Sequence, residues 1–283
     1  MAVFTLRFNS EKIGLATMIR VILPTGRAGS GNFAEYYQNK EKLPVLWLLH
    51  GGSDNYSDWH NCTQVQLMAE EYGYAVVMPD AQQSSYANMA FGPNWLDFYR
   101  EELQEYMYAR FPLSRKREDN FISGMSMGGA GTVKLALLNP ERYSVAVPLA
   151  SAVEVAHRYA QGRWDRVPGG GPQPGKPSMF NDIYGMDDNP SGILGSNEDC
   201  YYLLKKNVDD GITLPKMLFC QGTEDHTYNG NVEYRAYAKS LGVELDWCEA
   251  PGAHDWKSWN YYLPKVFEYI RKCRVEAGLE KGV

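Results

Sequence analysis

The stretch Asn120 to Asn139, NFISGMSMGGAGTVKLALLN, decides how the rest of the chain is read. Asn120 to Ser123 is an apolar-centred run short enough for a buried strand. From Met127 onward, Val133, Leu135, Ala136 and Leu138 fall at spacings that suit a helix packed on a sheet. Between them lies Gly124-Met125-Ser126-Met127-Gly128, a G-x-S-x-G pentapeptide at a strand-to-helix switch, the context of a nucleophile elbow. The requirement is steric. A serine held clear of a sheet sits on a sharp, strained turn where side chains two residues to either side would collide, and Gly124 and Gly128 remove those collisions. The amide of Met127, at the helix start, points to where an oxyanion would form. Taken alone, the pentapeptide also fits a glycine-rich turn with an ordinary N-cap serine.

Working outward, Leu43 to Leu49 (LPVLWLL) is nearly continuous in apolar residues, as a strand buried on both faces must be. It runs into His50-Gly51-Gly52-Ser53-Asp54, where glycine admits a substrate close to the main chain. Gly52 is the candidate for a second oxyanion amide, Gly51 for a substrate contact, and His50 for a structural residue holding the loop. Ala16 to Leu23 reads as an early strand ended by Pro24, the stretch Thr25 to Asn32 as a loop, Gln64 to Tyr72 as a helix and Tyr74 to Met78 as a further buried strand. Polar and aromatic residues from Ala81 to Asn94 read as a loop near the site, with Tyr86, Phe91 and Trp95 as candidate substrate contacts. Leu96 to Phe111 reads as an amphipathic helix stopped by Pro112.

Beyond the elbow, Ser144 to Leu149 is a strand, and Val153 to Tyr201 reads as an irregular, lid-like insertion near the active site. Within it, Gly170 to Lys176 matches the G-x-x-x-x-G-K half of a phosphate loop. Pro172 and Pro174 lack the amides a phosphate cradle needs, and Pro177 stands where a magnesium-binding hydroxyl belongs. Strands at Lys216 to Cys220 and Val243 to Cys248 alternate with helices at Asn231 to Leu241 and Trp256 to Val275. Alternation throughout predicts one α/β domain over residues 1–283, with a mostly parallel sheet covered by helices on both faces. Ligands in such sheets gather at the carboxyl ends of strands.

That rule tests the elbow, because a serine nucleophile needs a base and an acid from later strand ends. Gln221-Gly222-Thr223-Glu224-Asp225-His226 follows one strand and Pro251-Gly252-Ala253-His254-Asp255-Trp256 follows the next. The order Ser126, Asp225, His254 is that of an α/β-hydrolase. His254 would act as base, Asp225 would fix its tautomer, and the amides of Gly52 and Met127 would hold the oxyanion. The rivals are His226, which shares a loop with the acid, Glu224 in place of Asp225, and Asp255, which equally suits a cap for the last helix. His60 and His157 precede the acid and break the order.

Bulk properties narrow the partners. With 283 residues, 44% hydrophobic and 22% charged, the chain can bury a sizeable core. A net charge of -6 argues against a nucleic-acid surface. The start lacks a signal-peptide core and no stretch approaches bilayer length, so a membrane is not an expected partner. The five cysteines are odd in number and never closely paired, which points to reduced thiols in the cytoplasm, with no zinc site and no metal or other cofactor expected. The expected partner is a small-molecule ester, and a homo-oligomer is left open.

LLHGGSDNYSDW at 48–59, KREDNFISGMSMGGAGTVKLAL at 116–137, GTEDHTYN at 222–229 and GAHDWKSW at 252–259 together resemble the esterase D-like branch of α/β-hydrolases. That branch includes tributyrin, cinnamoyl and feruloyl esterases. The resemblance spans nearly the whole chain and implies the α/β-hydrolase fold, the triad Ser126, Asp225 and His254, and Gly52 and Met127 at the oxyanion hole. S-formylglutathione hydrolases belong to the same broad group, but Ser53-Asp54-Asn55 stands where their cysteine-containing segment would be. The expectation is therefore a serine esterase acting on small acyl esters, acetyl or hydroxycinnamoyl esters of carbohydrates. A glutathione thioesterase, an acyltransferase and a non-catalytic binding protein are the alternatives.

Overall fold

A computed structural model describes residues 1–25, 42–162, 179–185 and 190–280. The phosphate-loop-like stretch Gly170 to Lys176 and most of the loop expected from Thr25 to Asn32 lie outside the described residues.

Eight strands are described: β1 (Ala2–Asn9), β2 (Ala16–Leu23), β3 (Val45–Leu49), β4 (Ala75–Pro79), β5 (Asn120–Met125), β6 (Val145–Leu149), β7 (Lys216–Gly222) and β8 (Asp246–Ala250). They form one sheet in the order β1-β2-β4-β3-β5-β6-β7-β8. Both pairings of β2 are antiparallel, and every pairing from β4 through β3 to β8 is parallel. This is the mostly parallel sheet of the α/β-hydrolase fold.

Apolar runs in β3 to β6 reflect burial on both faces, with every residue of these strands buried. Because side chains alternate along a strand, Val45, Trp47 and Leu49 join the core on one face while Leu46 and Leu48 join that on the other. The second face is covered by the helices Val65–Tyr72 and Trp256–Glu276. The longer one buries Trp259, Tyr262, Leu263, Val266, Phe267, Ile270 and Cys273, the three-and-four spacing of a stripe aimed at the sheet. Each such large side chain contributes roughly 1.5–3 kcal/mol relative to exposure. Leu103–Arg110, Met127–Leu138, Cys200–Asp209 and Tyr228–Ser240 carry residues of the core on the first face.

Three expectations change. The helix read from Leu96 to Phe111 is divided by a π-turn at Phe98–Glu102, which brings the Glu102 carboxylate to the amides of Glu11 and Lys12 in the β1–β2 turn. The last strand starts three residues later than read, at Asp246, because the helix Tyr228–Ser240 is followed by a turn with Gly242 at φ 77° and the chain must still cross to the sheet. The segment read as irregular from Val153 to Tyr201 contains the short helices Val155–Ala160 and Met179–Tyr184 and a 3-10 turn at Pro190–Ile193. They form a satellite apolar cluster of Val155, Ala156, Tyr159, Ala160, Phe180 and Ile193. Six-residue helices are too short to show a period in sequence.

Candidate active site

Ser126 sits at φ 55°, ψ −117°, between the end of β5 and the helix Met127–Leu138. Few residues other than glycine adopt such a backbone. The surrounding contacts hold it there. The Ser126 amide donates to the Leu149 carbonyl on β6 at 2.9 Å, and its carbonyl accepts from Ala130 and Ala152. A Cβ at Gly124 would lie 2.6 Å from the Gly128 carbonyl oxygen, and one at Gly128 would lie 2.5 Å from that of His50. Both glycines are there because two loops and a helix converge at atomic contact.

From this turn the serine hydroxyl faces His254, its Oγ 2.8 Å from Nε2. His254 Nδ1 lies 2.8 Å from Asp225 Oδ2 and 3.0 Å from Oδ1. Asp225 follows β7 and His254 follows β8, at the carboxyl edge of the sheet that also holds the elbow. The tautomer follows from donor counting: an ionised carboxylate only accepts, so Nδ1 carries the proton and Nε2 is the acceptor for the serine hydroxyl. The Asp225 side chain is shut off from solvent, and Oδ1 also accepts from the Thr227 amide and hydroxyl, each at 2.8 Å. Burial alone would raise its pKa. The hydrogen bond and charge of His254, with the Thr227 donors, outweigh burial and hold the carboxyl below its usual 3.8. Thr227 is held in turn by Gln221 Nε2, and Gln221 by Asn231.

The Gly51-Gly52 loop closes the other side. His50 is buried; its Nε2 lies 2.9 Å from the Ala81 amide and its Nδ1 2.7 Å from the Gly51 carbonyl oxygen. As acceptor for Ala81, Nε2 is unprotonated, and Nδ1–H donates to Gly51. Since the Gly51–Gly52 peptide is trans, a carbonyl turned to the His50 ring sends the Gly52 N–H the opposite way. The Met127 amide, first of its helix, has no partner within that helix. These are the two donors the sequence singled out, and Gly52, Ser126, Met127 and His254 border one cavity of about 320 Å³.

Other candidates fall elsewhere. Trp95 is a correction: it is fully buried and packs edge-on against Phe98 at 5.8 Å, because the apolar stripe of its helix draws it into the core and away from the cavity. Gly51 does not border the cavity. Tyr86 is buried with its hydroxyl donating to the His50 carbonyl at 2.8 Å, and Phe91 is exposed; neither borders the cavity. Asp255 caps the last helix, accepting from the Ser258 amide at 2.9 Å. His226 borders the cavity, its ring 4.2 Å from that of His254, and burial followed by the neighbouring His254 lowers its pKa against the opposing pull of Asp225. His60 engages Arg20 and Gln66, and His157 engages Asp199. Among the described residues, the only group with metal-ligand spacing is Asp225, His226 and His254, whose ligand atoms lie within 4.8 Å of one another. It is built from the acid and base of the relay itself.

Residues the sequence reading missed are Thr227, Lys134 and Glu198. A hydroxyl two residues after an aspartate is a turn signal that would have pointed to Thr227. Lys134 was marked by being charged in an otherwise apolar helix; its ammonium pairs with Glu198 at the cavity wall.

The family model "Putative esterase" matches residues 19–270. The acetyl esterase of Caldicellulosiruptor saccharolyticus is 27% identical over 280 residues, which is 96% of this chain and 99% of that protein. Two Staphylococcus aureus structures, each 32% identical, cover 95% of this chain and 98% of their own. The fluorophosphonate-binding serine hydrolase F with substrate bound superposes at a TM-score of 0.80, and the S-formylglutathione hydrolase apoenzyme at 0.79.

Proposed function

The chain belongs to the Esterase family and is a serine ester hydrolase, and we propose that Ser126 is its nucleophile, His254 its general base and Asp225 the residue that orients the base. The observation that carries this assignment is the continuous relay from Ser126 Oγ through His254 to a solvent-excluded Asp225, each link at 2.8 Å. Ser126 Oγ attacks the acyl carbon as its proton passes to His254 Nε2. The bond to the leaving alcohol breaks as His254 returns that proton to the departing oxygen. Water, deprotonated by His254, then attacks the acyl carbon; the bond to Ser126 Oγ breaks as His254 returns the proton to that oxygen, and the acid is released. The amides of Gly52 and Met127 hold the developing oxyanion; losing one such donor typically costs about 3 kcal/mol of transition-state stabilisation.

The substrates we assign are small acyl esters, acetyl or hydroxycinnamoyl esters of carbohydrates, and the whole chain is one catalytic unit, with Val153, Val155, Ala156, Phe180 and Tyr184 in the wall of its acyl pocket. An apolar wall of Ala130, Ala152, Val153, Val155 and Ala156 supports an acyl group at this place. A second reading, hydrolysis of a glutathione thioester, is favoured by the 32% identity to the S-formylglutathione hydrolase structure. Including that thioester among the substrates assayed separates the two. The assignment of Ser126 is tested by reaction with a fluorophosphonate probe followed by peptide mass mapping. One adduct on Ser126, absent from His254→Ala, is expected; labelling at another residue would overturn it.

A further inference from the structure

The cavity does not end at the reacting groups. Ser126, Ala130 and Lys134 all border it, and their four-residue spacing puts them along one face of the elbow helix. From Ser126 to Lys134 is about 12 Å of helix axis. His254 must hand its proton to the leaving oxygen, so the alcohol departs on the His254 side. The arm that runs past Ala130 to Lys134 therefore takes the acyl group. Its middle is apolar, and the Phe180 and Tyr184 rings, both on its wall, are within 6° of parallel. Its far end is polar. There the Lys134 ammonium, with only 4% of its side chain exposed, pairs with the Glu198 carboxylate and donates to the Ser85 carbonyl at 2.8 Å.

We propose that the Lys134–Glu198 pair is a specificity site that recognises a neutral hydroxyl at the distal end of an extended, flat acyl group. This rests on the reading of Ser126 as the acylated residue. Three features select this chemistry. An acetyl group would fill only the mouth of a cavity of about 320 Å³ and leave the polar end untouched. A hydroxyl both donates and accepts, so it can give its proton to Glu198 and accept from Lys134; among the described residues two of the three ammonium hydrogens are engaged, leaving one for that role. A terminal carboxylate would meet Lys134 but face Glu198 with like charge in a buried place, and a terminal ammonium would face Lys134 in the same way. Cys200, also on the wall, is no competing nucleophile: burial pushes its thiol up to about 12.

Since the pair remains mutually satisfied when the hydroxyl is absent, the discrimination expected is about tenfold, well short of a site left with unpaired groups. The test compares kcat/KM for matched esters of 4-hydroxycinnamic, 4-methoxycinnamic, cinnamic and acetic acids, on the wild type and on Lys134→Met and Glu198→Gln. The wild type should favour the 4-hydroxy ester over the cinnamoyl ester by about tenfold, with the methoxy ester, which cannot donate, below the hydroxy one. Both variants should bring the hydroxy-to-cinnamoyl ratio close to one. A pair that only braces the fold would lower all substrates together and leave that ratio unchanged, which overturns the proposal. A wild-type ratio near one overturns it without reference to the variants, and should neither variant fold, the wild-type ranking of the hydroxy and methoxy esters decides. Hydrolysis of the acetyl ester in the same wild-type assay shows that the esterase reading stands even where this inference fails.

Discussion

At the scale of single residues, the site stores its cost in one backbone. Ser126 at φ 55° carries strain of about 1–3 kcal/mol, kept in place by backbone bonds to Leu149, Ala130 and Ala152 and by the two glycine contacts around it. Its partner residues are fixed just as narrowly. Asp225 accepts from His254 and twice from Thr227, so an amide at 225 would present a donor where only an acceptor fits. Asp225→Asn should therefore leave the fold intact and lower kcat by up to about 10⁴-fold, because His254 would turn its unprotonated nitrogen to the amide and lose it for the serine proton. Steady-state kinetics with circular dichroism checks this; a loss below about tenfold in a folded variant would contradict the orienting role.

Among the elements, the segment from 190 to 209 shows how the wall of the cavity is anchored. Asp199 caps the helix Cys200–Asp209, accepting from the amides of Tyr201 and Tyr202, and also lies 3.0 Å from His157 Nδ1. Burial raises the Asp199 carboxyl, but His157 and the backbone donors outweigh it and bring its pKa below 3.8. A carboxyl lowered by folding stabilises the protein fully above its unfolded pKa and loses that contribution as pH falls through the folded value. Asp199→Ala should thus cost about 1–2 kcal/mol at neutral pH. Urea unfolding of the wild type and this variant should show that gap narrowing as pH is taken below the ordinary 3.8 of the carboxyl, and a gap unchanged by acidification would contradict it. The same region marks where the sequence stops being legible. Strands β2 to β7 could be read because apolar runs such as VLWLL and AVVMP have few alternatives to a buried strand. The helix Cys200–Asp209 could not, since only Cys200, Leu203, Leu204 and Asn207 of its ten residues are buried. Edge strand β1 shows no buried position at all, and its pairing with β2 alone makes it a strand.

For the molecule as a whole, one sheet brings four loops from far apart in sequence to a single edge. Ser126, Asp225 and Gly52 were legible because each follows an apolar strand, and His254 because it follows the next strand in the alternation; a parallel sheet places such loops together. Most of the cavity wall was not legible, because which side chains of the elbow helix and of the short helix after β6 face the serine depends on packing between elements; Lys134, charged in an otherwise apolar helix, left the one local signal. Trp95 illustrates the limit: an aromatic near a loop reads as a substrate contact until the core claims it. No described helix is long and apolar enough to cross a membrane. The central claim is that ester hydrolysis proceeds by acylation of Ser126. Its most direct test is kcat/KM for p-nitrophenyl acetate in Ser126→Ala, with thermal unfolding measured alongside. The account predicts a fall of at least about 10³-fold in a protein with the wild-type Tm. A folded Ser126→Ala that keeps wild-type activity would contradict it.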